Sequence, residues 1–169
     1  MKIIDINNMS SDIFINTFKN IFEKTISISA LSERKRPFRD KDHLIETFLK
    51  EFENLNLNEK KIIIKNHPDL GNKLKINNDL TDMSKKEQKN AGLDNCTHEE
   101  YAFFDKMNSE FKLKFNIPFI YAVKGANKIL IINEFKRRLK NDNIENEIQE
   151  SINQVKKIAF FRLNEIIDE

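Results

Sequence analysis

The chain has 169 residues, enough for one domain with its own core, and its 39% hydrophobic and 33% charged residues describe a globular protein rather than a disordered one. Three glycines and three prolines are too few turn-formers for a sandwich or barrel, and no glycine-rich phosphate loop is present. Lys+Arg 29 against Asp+Glu 27 leaves a net charge of +2, too balanced to point to nucleic acid or an anionic membrane, and the single cysteine, Cys96, excludes an intrachain disulfide and a thiolate zinc cluster. The N-terminal stretch lacks the apolar core of a signal peptide, and the longest apolar run, Ile117 to Val123, is too short to cross a bilayer, so the expected location is cytoplasmic with no membrane partner.

Helical spacing dominates the chain. From Ser11 to Leu31, Phe14, Phe18, Ile21, Phe22 and Thr25 recur every three or four residues, which predicts a helix with a phenylalanine stripe, capped by Ser10 or Ser11. Pro37 marks a loop after Glu33. A second helix is expected over Asp42 to Phe52, with Leu44, Ile45, Phe48, Leu49 and Phe52 inward, and a third over Asn58 to Asn66, ended by Pro68. Asp69 to Met83 reads as polar and irregular. Two capping boxes follow: Ser84 with Glu87 starts a short helix that Gly92 can end, and Thr97 with Glu100 starts a longer one through Tyr101, Phe104, Met107 and Phe111. Asn116-Ile117-Pro118 breaks the chain again. Phe119 to Val123 resembles a strand, but a lone short run does not decide between strand and helix. Two closing helices are expected, from Asn127 to Lys140 with Ile129, Ile132, Phe135 and Leu139 inward, and from Ile144 to Ile167. Helices joined by short connections predict an all-α, single-domain multi-helix bundle spanning 1–169.

Three histidines are present. His43 and His98 stand among charged neighbours and read as surface residues. His67 is confined between a helix end and Pro68, a backbone that holds a side chain in one direction, as general acid–base work requires. The three lack the i, i+4 pairing of helical metal sites, so no metal is expected. Helix-start amides near Ser84 can receive an anion or a carbonyl oxygen, and Gln88 offers an amide that both donates and accepts. Among the arginines, Arg34, Arg39 and Arg138 read as surface charges, whereas Arg162 sits between Phe161 and Leu163, an unusual place for an idle charge. Cys96 has no neighbour that would make it a catalytic thiol.

In chain order these residues form a recognisable series. His67-Pro68-Asp69-Leu70-Gly71 is followed by Ser84, Glu87-Gln88 and Ala91-Gly92-Leu93, then Met107-Asn108, Pro118-Phe119-Ile120, Arg138-Leu139, Glu145 and Arg162-Leu163. The set resembles the 2-oxo-4-hydroxy-4-carboxy-5-ureidoimidazoline decarboxylase family of urate degradation, from about Asp12 to Ile167. It departs from the family pattern at Thr25-Ile26-Ser27, where Ser-Pro-Trp is usual, at Phe111, usually tyrosine, and at Asn116-Ile117, usually Gly-Phe.

The resemblance implies a cofactor-free carboxy-lyase, usually a homodimer, that yields (S)-allantoin and carbon dioxide. It implies His67 as proton donor, assisted by Glu87 and Arg162, with Pro68, Ser84, Lys85, Lys86, Glu87, Gln88, Phe119, Ile120, Tyr121, Ala122 and Val123 contacting substrate. Glu87 would orient His67 and keep it protonated, and Arg162 would supply positive charge to the substrate or to the Glu87 network. The competing readings are a catalytically degenerate helical scaffold of the same fold, against which the joint presence of His67, Glu87 and Arg162 argues, and a nucleic-acid binder, against which the charge balance argues.

Overall fold

The computed structural model describes residues 1–72 and 80–168, and among these it contains nine helices and no strand. They are α1 (Ile3–Asn7), α2 (Ser11–Phe18), α3 (Ile26–Glu33), α4 (Lys41–Glu53), α5 (Leu57–Asn66), α6 (Asp82–Asn90), α7 (His98–Phe115), α8 (Lys128–Leu139) and α9 (Ile144–Ile166). The all-α class expected from the spacing is therefore the one observed, and none of the described helices is long and apolar enough to cross a membrane.

The caps follow from residue type. Ser10 accepts from the Ile13 amide, Asp40 from the His43 amide and Asn127 from the Leu130 amide, each satisfying a helix-start donor that has no intrahelical partner. Thr97 and Glu100 form the expected reciprocal box. Asn56 and Glu59 form a second one at α5: the Glu59 amide donates to Asn56 Oδ1 at 3.0 Å and the Asn56 amide to Glu59 Oε2 at 2.8 Å. At the end of α6 the Leu93 amide donates to the Gln88 carbonyl and the Gly92 amide to the Lys89 carbonyl, each at 2.9 Å, with Gly92 at φ +77°; this is the paired bonding of a Schellman stop.

Of the stretch Asp69 to Met83, expected to be irregular, residues 73–79 lie outside the described residues, and Asp82 and Met83 open α6. Three further expectations change. The stretch Ser11 to Leu31 is two helices, not one, because the chain turns between Phe18 and Ile26 with Lys24 at φ +50°. The apolar spacing persists across the turn because Phe22 still packs inward, its ring 4.9 Å from that of Phe52. The cap of α6 is Thr81, whose hydroxyl accepts from the Ser84 amide, so Ser84 lies inside the helix and the Ser84–Glu87 box does not form. In α8 the inward face is Ile131, Phe135 and Arg138, while Ile129 is 69% exposed; the face is turned by one residue from the expected one.

The chain divides into two compact units, residues 1–66 with 156–169, and residues 67–155. The first is built on Phe14, Phe18, Phe22, Phe48 and Phe52, with the Phe14 and Phe18 rings 4.7 Å apart. The second is built on Phe104, Phe111, Phe115, Phe119 and Phe135, with the Phe119 and Phe135 rings stacked at 3.6 Å and Phe111 edge-on to Phe119 at 5.3 Å. In a chain with no tryptophan, phenylalanine supplies the large aromatic area of both cores, each buried ring contributing about 1.5–3 kcal/mol. Helix α9 contributes its N-terminal part to the second unit and its C-terminal part to the first.

Candidate active site

His67 stands immediately after α5 and is 7% exposed. The loop that follows it is secured from two helices. Gln88, buried on α6, takes the loop backbone at two points: its Oε1 accepts from the Gly71 amide at 3.1 Å and its Nε2 donates to the Asp69 carbonyl at 3.2 Å. From α7, Asn108 Nδ2 donates to the Leu70 carbonyl at 2.9 Å and Lys112 Nζ pairs with the buried Asp69 carboxylate at 2.6 Å. Phe104, Asn108 and Lys112 are spaced i, i+4, i+8, so one face of α7 meets residues 69–71 of the loop.

Gly71 completes this arrangement. Its φ is +67°, and a Cβ placed there would lie 2.6 Å from two atoms of the Phe104 ring. Gly71→Ala is expected to lose about 2 kcal/mol or more, from left-handed backbone strain and displacement of the ring together, read as a lower urea midpoint at unchanged slope. A midpoint equal to that of the parent protein would contradict this account of the loop.

On α6 the candidates divide by face. Ser84 and Gln88, one turn apart, are buried; Lys85 and Glu87 are half-buried; Lys86 is exposed. Because the helix begins at Asp82, the Lys85 amide is already bonded to the Thr81 carbonyl at 2.9 Å. The expectation that helix-start amides near Ser84 receive a substrate is thereby corrected: the Ser84 and Lys85 amides face Thr81, and this stretch offers side chains instead.

The segment Phe119 to Val123 forms no strand. Phe119, Ile120, Ala122 and Val123 are buried and Tyr121 is half-buried. Phe119 packs on Phe111, so α7 supports this segment as well as the His67 loop.

Arg162 lies in the first unit, 4% exposed. Its Nη1 donates to the Asn20 carbonyl at 2.7 Å and to Glu23 Oε2 at 3.1 Å, and Glu23 is wholly buried. This arginine is thus paired inside the protein with a carboxylate 139 residues away in the chain. Arg138, read as a surface charge, is 1% exposed and pairs with buried Glu147. Its place one turn after Phe135 on the inward stripe of α8 was the signal available in the sequence. Arg34 and Arg39 are exposed as expected.

His98 is exposed and His43 half-buried, its Nδ1 accepting from the Arg39 amide at 3.1 Å. Burial pushes the Cys96 thiol up, away from thiolate chemistry. Among the described residues no group of three or more His, Cys, Asp or Glu side chains is placed to hold a metal ion. An open cleft of about 350 Å³ in the first unit, lined by Lys24, Thr25, Ile26, Leu55, Ile63 and Asn66 among others, contains none of the expected site residues.

Residues 7–164 match the family model described as OHCU decarboxylase, the acronym of the ureidoimidazoline named above. The chain belongs to this family. A 2-oxo-4-hydroxy-4-carboxy-5-ureidoimidazoline decarboxylase of Xenopus laevis is 34% identical over 163 residues, covering 96% of this chain and 93% of the relative. A uric acid degradation bifunctional protein of Bacillus sp. (strain TB-90) is 36% identical over 169 residues, but the chain spans only 33% of that relative's length. Among solved structures, one of (S)-allantoin synthase superposes with a TM-score of 0.75 at 21% identity, over 99% of this chain and 55% of the other, and one of an OHCU decarboxylase in the presence of (S)-allantoin with 0.72 at 18% identity, over 89% and 96%. At these identities the superpositions establish a shared OHCU decarboxylase fold. Within that family frame, the loop after His67 and helix α6 are the two elements that Gln88 ties together.

Proposed function

We propose that residues 1–169 act as one domain that converts 2-oxo-4-hydroxy-4-carboxy-5-ureidoimidazoline to (S)-allantoin and carbon dioxide, as a cytoplasmic homodimer. The observation that carries this reading, in a chain of the OHCU decarboxylase family, is the two-point hold of Gln88 on the loop after His67, which gives a buried imidazole a fixed origin.

In the proposed reaction the bond from the ring to the carboxylate carbon breaks and its electron pair passes into the conjugated C–N system of the ring. That pair ends in a new C–H bond, with net uptake of one proton, so the ring itself serves as electron sink. His67 delivers the proton to one face, Glu87 orients it and Arg162 adds positive charge, while Pro68, Ser84 to Gln88 and Phe119 to Val123 shape the substrate's surroundings. Holding donor and ring in one geometry turns a bimolecular proton transfer into a unimolecular one.

The test is to generate the labile substrate from urate in situ, with and without this protein, and to follow allantoin by circular dichroism. A fast signal of one hand that scales with protein concentration is expected. Slow, racemic formation equal to the protein-free background would sink the decarboxylase reading and leave a scaffold of the same fold.

A further inference from the structure

Phe119 to Val123 has no ladder to hold it, and a connection of this kind depends on side chains to satisfy its buried peptide groups. Two residues of the segment are tied in this way. Arg138 Nη1 donates to the Ile120 carbonyl, and the Ala122 amide donates to Gln154 Oε1 at 2.9 Å. Arg138 is itself held on its remaining nitrogens: Nε donates to Glu147 Oε1 at 2.9 Å, and Nη2 donates to the same oxygen and to Ser151 Oγ at 3.1 Å. Its guanidinium carbon lies 4.7 Å from the centre of the Phe119 ring and 5.6 Å from that of Phe111. One planar fork thus joins α8, α9 and the segment, an arrangement that lysine, with a single point of charge, does not reproduce.

A buried ion pair is seldom needed for stability alone, since apolar residues of similar volume replace it at little loss. Glu147 Oε2 has no hydrogen-bond partner among the described residues, so this pair is incompletely satisfied as a purely stabilising device. What distinguishes it is the Ile120 carbonyl at its third corner. We propose that Arg138, aligned by Glu147, is a positioning residue that sets the backbone of Phe119 to Val123 for substrate. This rests on the decarboxylase reading and on that segment's contact with substrate.

The decisive variant is Arg138→Met combined with Glu147→Leu, which removes both charges and strands neither. Amide hydrogen exchange, thermal melting and steady-state kinetics with the ureidoimidazoline are measured together. The proposal expects melting close to that of the parent, faster exchange confined to the amides of residues 119–124, and a KM raised about tenfold with kcat changed much less, the size of one charge-assisted hydrogen bond. Arg138→Lys, which keeps the charge and loses the fork, is expected to show the same pattern in smaller measure and serves if the double variant does not fold. Unchanged exchange in residues 119–124, faster exchange spread evenly over residues 67–155, or an unchanged KM overturns the proposal. Absence of turnover in the parent protein overturns the decarboxylase reading and the substrate part of this inference with it, whereas a parent that turns over and variants with parental KM overturn this inference alone.

Discussion

Replacing His67 with asparagine is expected to lower turnover of the ureidoimidazoline by about 10²–10⁴-fold, the usual contribution of a positioned general acid. The fold should persist. Gln88, Asn108 and Lys112 hold the Asp69, Leu70 and Gly71 backbone and the Asp69 carboxylate, and none of these four ties involves the imidazole. Asparagine keeps a polar side chain of comparable reach in a position only 7% exposed. The measurement is kcat from the circular dichroism of allantoin, with a melting curve beside it. Turnover within a few-fold of the parent, from a normally melting variant, would remove His67 as proton donor.

The largest loss of stability is expected at Arg162. Arg162→Met takes the guanidinium from a Glu23 carboxylate that is wholly buried, and removing one partner of such a pair costs about 3–5 kcal/mol because the other charge stays out of water. Arg162→Met with Glu23→Leu should recover most of this loss, since no charge is then stranded. Urea denaturation of the three proteins provides the check, and a single variant as stable as the parent would contradict it. The double variant also separates the two tasks assigned to this arginine. If it folds and loses turnover, Arg162 acts in the reaction; if it folds and keeps parental turnover, its task is to neutralise Glu23, and the catalytic proposal for it falls.

The helices were largely legible because local causes make them. Thr97 with Glu100 and Gly92 after α6 act within a few residues of their own position. Spacing misleads where a neighbour distant in sequence decides the outcome. Phe22 carried the helical spacing past Phe18 because Phe52 waits for its ring, although the backbone between them is not helical. The α8 face is hidden from spacing because Arg138 is polar by type, and Glu147, Ser151 and the Ile120 carbonyl make its burial favourable. Ser84 seemed a cap because Glu87 follows at the right spacing, but Thr81 three residues earlier takes that role.

The same division holds for the candidate site. The residue series from His67 to Arg162 was enough to point to the family, since motif residues keep their order along a chain whatever their contacts. The supports of that series were not visible. That Gln88 grips the Asp69 and Gly71 backbone, that Asn108 and Lys112 reach the same loop from α7, and that Glu23 sits opposite Arg162 are pairings across 17 to 139 residues. Composition and spacing determined that this protein is helical, and the order of its motif residues pointed to its family. Only the tertiary structure decided which backbone atoms those side chains hold, because hydrogen bonds and buried charges are satisfied by proximity in space, and proximity between distant segments is a product of packing.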